Sequence, residues 1–211
     1  MEKERRLGPA LSATLIVLMM ATSLGVAWPG GAWPARDVGS ALLRLILASA
    51  ATQLFTWLIL FYAPRFLNRG REEGFRRSIP VYDMTWITLT AMFCVIQACL
   101  MARTLGIPVA MHSVNALTAG LLFVVIGNTL GKLSPNGAIG IRTPWTRRSF
   151  WVWDRTHRTC GPLMVLLGTA FLVMGLLARP SQILQIALVL SFAALAYGIS
   201  WHYARIEARR S

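Results

Sequence analysis

The chain reads as an all-α, polytopic membrane bundle of six transmembrane helices, on three observations. Of its 211 residues 55% are hydrophobic and only 14% charged, whereas a soluble domain carries about 25% charged residues. Apolar runs recur at about the 20-residue length that a helix needs to cross roughly 30 Å of hydrocarbon. The basic residues gather in alternate connectors between those runs.

The runs lie at about 8–28, 40–62, 84–102, 112–131, 160–178 and 182–203, and the whole chain, 1–211, forms a single membrane domain. The first follows a basic start. Its apolar part is too long for a signal-peptide core, and Trp28-Pro29 is a poor cleavage context, so it is expected to stay as an uncleaved anchor. Trp28 to Pro34 then forms a turn-rich outer loop with a Trp at each end, suited to the headgroup layer. Arg44 stands about one turn inside the second run, where its stem can snorkel to the outer headgroups. The connector from Pro64 to Asp83 is broken by Pro64, Gly70, Gly74 and Pro80, which predicts an irregular or briefly helical loop. There Asp83 is expected to pair with Arg76 or Arg77. In the third run Cys94 and Cys99 point to different helix faces. Gly120, Gly127 and Gly131 in the fourth run, and Gly161, Gly168 and Gly175 in the fifth, form stripes that allow close helix approach. These two runs are expected to pack against one another. Gln53, Gln97, Asn115 and Asn128 are suited to hydrogen bonding between helices.

Net charge is +13, and its distribution points to membrane topology instead of nucleic acid. Lys3, Arg5 and Arg6 precede the first run. Arg65, Arg69, Arg71, Arg76 and Arg77 occupy the second-to-third connector. Lys132, Arg142, Arg147, Arg148, Arg155 and Arg158 occupy the fourth-to-fifth, and Arg205, Arg209 and Arg210 the C-terminus. The opposite connectors hold one each: Arg36, Arg103 and Arg179. Basic loops resist translocation, so both termini are expected in the cytoplasm of a cell, in its cytoplasmic membrane. Direct nucleic-acid binding is not expected.

The stretch 127–161 differs from everything around it in its Asn, Pro, Gly, Arg and Trp content. Pro135-Asn136-Gly137 is turn chemistry. Gly140-Ile141-Arg142-Thr143 should be extended, because Pro144 disfavours a helical Thr143. Thr146 is placed to cap a short interfacial helix over 147–158, with Phe150, Trp153 and His157 on one face and an Asp154–Arg158 pair at i,i+4. Interleaved rings and arginines suit the headgroup layer of an anionic bilayer. That accounts for Trp and Arg, but not for the order of the remaining residues.

The order is Gly127-Asn128 at a span end, Pro135-Asn136, then Gly140-Ile141-Arg142-Thr143-Pro144-Trp145-Thr146, Trp153, Thr156-His157-Arg158 and Gly161. It resembles the signature of the SdpI family of bacterial membrane proteins, named for an immunity protein against a sporulation-delay toxin. The resemblance implies a protein that protects its host from a secreted, membrane-active toxin and also signals by holding a transcriptional repressor at the membrane. It implies partners on both sides: the lipid bilayer, a secreted peptide or protein toxin outside, and a cytoplasmic repressor inside. Asn128, Pro135, Asn136, Gly140, Arg142, Thr143, Trp145, Thr146, Trp153, Thr156, His157 and Arg158 are the candidate binding residues. Within them Arg142 would grip a carboxylate or phosphate bidentately, Trp145 would anchor a contact, and His157 would bond either. Where the family often has Ser and Glu, this chain has Arg147-Arg148-Ser149-Phe150-Trp151-Val152, which reverses the local charge.

No nucleophile–base, metal-ligand or phosphate-loop pattern is present, so neither catalysis nor a cofactor is expected. Two other readings stay open. The 127–161 loop would serve a small-solute or lipid transporter, or a membrane enzyme, as its site; or it would only shape the backbone, with Arg142 and Asn128 tying the loop to the helix ends.

Overall fold

The computed structural model describes residues 13–14, 36–177 and 181–210. Among them are five helices and no strand: α1 (Arg36–Leu67), α2 (Glu72–Thr104), α3 (Met111–Leu130), α4 (Phe150–Leu177) and α5 (Gln182–Ala208). By length and composition α2 to α5 can each cross a membrane, and α1 carries an apolar stretch at Ile46–Tyr62. The chain is a helical membrane protein. The expected first span at 8–28 and the loop from Trp28 to Pro34 lie outside the described residues, Ala13 and Thr14 excepted.

Leu166, Leu176, Leu177, Ile183 and Leu190 all point outward. Lipid tails are as apolar as leucine, so helices gain little by hiding such side chains from lipid, and their association rests on packing and hydrogen bonds. The packing is closest between α3 and α4. A Cβ built on Gly127 would lie 2.8 Å from the Gly161 carbonyl oxygen, and one on Gly161 would lie 2.9 Å from that of Gly127. Gly120 and Gly168 stand in the same reciprocal relation, at 2.8 and 2.6 Å, and Gly175 meets the Leu117 side chain. As the number rises along one helix it falls along the other, so the pair is antiparallel. The two glycine stripes face each other, as their spacing predicts.

The other helices flank this pair. α2 lies beside α3, α5 beside α4, and α1 beside α2. Gln53 of α1 donates its amide to Gln97 of α2 at 2.9 Å, within the buried part of that contact. Trp57 and Phe61 of α1 stack on one another, and Trp57 meets Trp86 of α2 edge-on. The Tyr82 hydroxyl donates to the Leu60 carbonyl. A second cluster of Val81, Leu130, Leu133, Trp153, Cys160 and Ala196 joins α2, α3, α4 and α5 at the end where the α3–α4 connector emerges.

The helices are longer than the apolar runs, and this corrects two expectations. Residues 64–83 are mostly helical: α1 continues through Pro64 to Leu67, and α2 starts at Glu72 with Pro80 inside it. Arg77 pairs with Glu73 one turn away at 2.6 Å, while Asp83 falls well inside α2. Nor is there a separate interfacial helix over 147–158. Its residues from Phe150 onward are the first turns of one 28-residue helix that runs on through Gly161-Pro162. Pro162, which is exposed, removes a single backbone donor, and the helix continues past it to Leu177.

Gly127→Val should drive a branched side chain into the Gly161 backbone, an overpacking that costs about 1–3 kcal/mol or more. A clear fall in the thermal unfolding temperature of the detergent-purified protein would register it. Gly198→Ala is the control, because nothing lies within 4 Å of the added Cβ, and it should match or exceed the parent.

Candidate functional site

Residues 131–149 connect two helices already held in contact, so the connector must turn back over the end of the bundle while its backbone polar groups stay paired. Asn136 does much of this. It is fully buried, its Oδ1 accepts the N–H groups of both Ala138 and Ile139 at 2.8 Å, and its Nδ2 donates to the Ser134 carbonyl at 2.8 Å. This side-chain turn is docked on the α1–α2 junction. Asn68 Oδ1 accepts Gly137 N–H at 2.7 Å, and Ser78 Oγ accepts Ser134 N–H at 3.1 Å. The approach is so close that a Cβ on Gly74 would overlap the Pro135 carbonyl, and one on Gly137 would overlap that of Leu67.

The second half of the connector is held by the first turns of α4. Trp153 and His157 are buried there with their rings stacked, centroids 4.1 Å apart. Trp153 Nε1 donates to the Leu133 carbonyl at 2.8 Å. His157 Nε2 accepts Ile141 N–H at 2.9 Å, so that nitrogen carries no hydrogen, and Nδ1 lies 2.8 Å from the Trp153 carbonyl as its donor. The imidazole is thereby neutral, with both nitrogens engaged by backbone. Gly140 makes room for it. Its φ of +122° lies in the region that favours glycine, and a Cβ there would stand 2.6 Å from His157 Nε2.

The two threonines close the turn before α4. Thr146 Oγ1 accepts Thr143 N–H at 2.9 Å and donates to the Ile141 carbonyl at 2.8 Å, while Thr143 Oγ1 accepts Thr146 N–H at 3.3 Å. Thr146 is therefore a loop staple, not the expected helix cap. The cap is Ser149, whose Oγ accepts Val152 N–H at 3.2 Å and donates to Glu207 of α5. The helix starts three residues later than expected because Thr146 is already occupied by the turn.

The candidate residues thus separate into two groups. Pro135, Asn136, Gly140, Thr143, Thr146, Trp153, Thr156 and His157 are packed into or against the connector, with Asn136, Trp153 and Thr156 at 0% exposure. Trp145 is half-buried, its ring edge-on to Tyr197 of α5 with centroids 5.0 Å apart. Arg142 is exposed and is the signature side chain presented outward from the connector's centre. Arg158 is exposed too, but pairs with Asp154 at 2.8 Å, as its spacing predicts. Asn128 faces away on α3 and makes no side-chain hydrogen bond among the described residues. Phe150 leaves the Trp153–His157 face and is 70% exposed.

Asn68, Arg71, Gly74 and Ser78 complete the site but are absent from the signature. They lie beyond a whole helix in sequence, and their positions in a basic, Gly-containing connector were the only local signal. Arg71 reaches across to donate to the Arg147 carbonyl at 2.7 Å. Burial, together with the neighbouring charges of Arg147 and Arg71, holds the Arg142 pKa below its ordinary value. The arrangement suits gripping an anion at a rigid loop.

Asn136→Ala should lower stability by roughly 2–6 kcal/mol, since it leaves two backbone N–H groups without their acceptor at about 1–3 kcal/mol each. Asn128→Ala, on the outward face, should stay within about 0.5 kcal/mol of the parent. Thermal unfolding of the two purified variants side by side distinguishes them.

The model of the SdpI/YfhL protein family matches residues 132–201, which hold the connector, the length of α4 and most of α5. The chain is similar to the immunity protein SdpI of Bacillus subtilis (strain 168), with 28% identity over 110 residues. The aligned part is 52% of this chain and 53% of that protein, so the match spans about half of each. No solved structure matches the chain. The ordered signature, its construction as one hydrogen-bonded unit, and both matches agree: from residue 132 to residue 201 the chain is similar to the SdpI/YfhL family.

Proposed function

We propose that the protein confers immunity to a secreted, membrane-active toxin, by binding and without catalysis. The observation that carries this reading is the match to a protein named as an immunity protein, within the family whose model covers the connector and the helices after it. The proposed arrangement has six spans, with both termini and the 131–149 connector in the cytoplasm. The one-sided distribution of Lys and Arg supports it. Toxin would be met by the outer loops and lipid-facing helix surfaces. A second role, holding a cytoplasmic repressor at the membrane, would use the face that carries Arg142. The reversed charge at Arg147 and Arg148 argues for a toxin or partner different from that of family members with Ser and Glu there.

Orientation is tested by placing single cysteines in a background lacking Cys94, Cys99 and Cys160. Arg148→Cys should be silent to an impermeant reagent in intact cells and react after permeabilisation. Labelling in intact cells would put the connector outside.

Immunity is tested by titrated expression in a sensitive bacterium challenged with a panel of membrane-active peptides. Survival against at least one should rise with the amount of protein, as mass action requires for a binder. Solute flux through the purified protein, with no protection against any peptide, would favour a transporter.

A further inference from the structure

The four arginines at the mouth of the connector come from separate pieces of chain: Arg71 from the α1–α2 junction, Arg142 from the middle of the connector, and Arg147 and Arg148 from the turn before α4. They line one open cleft of about 470 Å³ with Pro144. A neighbouring cleft of about 500 Å³ shares Arg71, Arg147 and Arg148 and is walled by the first residues of α2 and α4. Its wall includes Glu72 and Glu73 in the first turn of α2, and Ser149 and Phe150 at the start of α4.

Like charges held this close repel, and a protein that only needed solubility would interleave carboxylates. Nearby carboxylates are present but serve other partners. Glu72 accepts the Gly70 N–H, Glu73 pairs with Arg77, Asp154 with Arg158, and Glu207 accepts from Ser149. Arg142, Arg147 and Arg148 make no side-chain hydrogen bond or ion pair among the described residues. The cluster is also held in place: Arg71 is tethered to the Arg147 carbonyl, and the turn bearing Arg147 and Arg148 is closed by Arg147 N–H to the Thr143 carbonyl and Arg148 N–H to the Trp145 carbonyl. Guanidinium groups carried on a closed backbone turn around an open cleft, with no carboxylate partner of their own among the described residues, match a tetrahedral oxyanion, which accepts several forked hydrogen bonds at once.

We propose that Arg71, Arg142, Arg147 and Arg148 form a binding site for a phosphate group, carried either by a lipid headgroup or by a soluble phosphate. The site is independent of the immunity reading, since it requires only the connector's geometry.

Binding is measured on the detergent-purified full chain by isothermal titration with inorganic phosphate at constant ionic strength, and by native mass spectrometry after reconstitution into phosphatidylcholine nanodiscs with or without phosphatidylglycerol. Saturable phosphate binding identifies a site open to soluble ligand. Selective retention of phosphatidylglycerol without phosphate binding identifies a headgroup site. In either arm Arg142→Gln and Arg147→Gln should weaken binding at least tenfold, and Arg142→Lys should weaken it measurably, whereas Arg209→Gln, which removes the same charge from the end of α5, should not. Unchanged thermal unfolding of the ligand-free variants certifies their fold. Absence of binding in both arms, or equal loss in Arg142→Gln and Arg209→Gln, overturns the proposal.

Discussion

The contact between Gly127 of α3 and Gly161 of α4, backbone against backbone, is the constraint on which the rest of the structure depends. It brings the two helices as near as polypeptide chains allow. The ends of the connector are thereby pinned close together, and its intervening residues have nowhere to run except back across the end of the bundle. Close packing of this sort carries the association where the surroundings are as apolar as the helices themselves. Gly120 and Gly168 repeat the contact two turns further along, which sets the antiparallel register and leaves α2 and α5 to flank the pair.

With its ends pinned, the connector must satisfy its own backbone. Five side chains of the signature are used for that. Asn136 accepts two N–H groups, His157 one, and Thr143 and Thr146 one each, while Trp153 donates to a carbonyl. The order of the signature follows from this mutual dependence. Gly140 must lack a side chain because the His157 ring fills the space, and His157 must be stacked on Trp153 for its Nε2 to meet Ile141. The surface arginines Arg142, Arg147 and Arg148 take no part in that backbone pairing through their side chains.

The continuity of α4 bears on this division. One helix carries Trp153 and His157 under the connector and Gly161, Gly168 and Gly175 along α3. The connector and the helix pair are therefore held by one continuous element. α5 joins the same unit through Ser149 with Glu207, Thr159 with Tyr203 at 2.8 Å, and the Trp145–Tyr197 ring contact.

By itself the sequence determined the membrane-spanning helical class, since run length and charge pattern are set by hydrocarbon thickness and desolvation and need no tertiary information. It also gave the glycine stripes and the Asp154–Arg158 pair, which follow from local spacing; that Gln53 and Gln97 can bond between helices was legible, but not that they bond to each other. Only the structure decided where helices begin and end, since Pro64, Pro80 and Pro162 all lie inside continuous helices. It alone separated Arg142 from the buried signature residues around it. And it alone brought Asn68, Arg71, Gly74 and Ser78 to the connector, since contacts across tens of residues leave no periodic trace in one chain: their partners are chosen by packing, after the helices have formed.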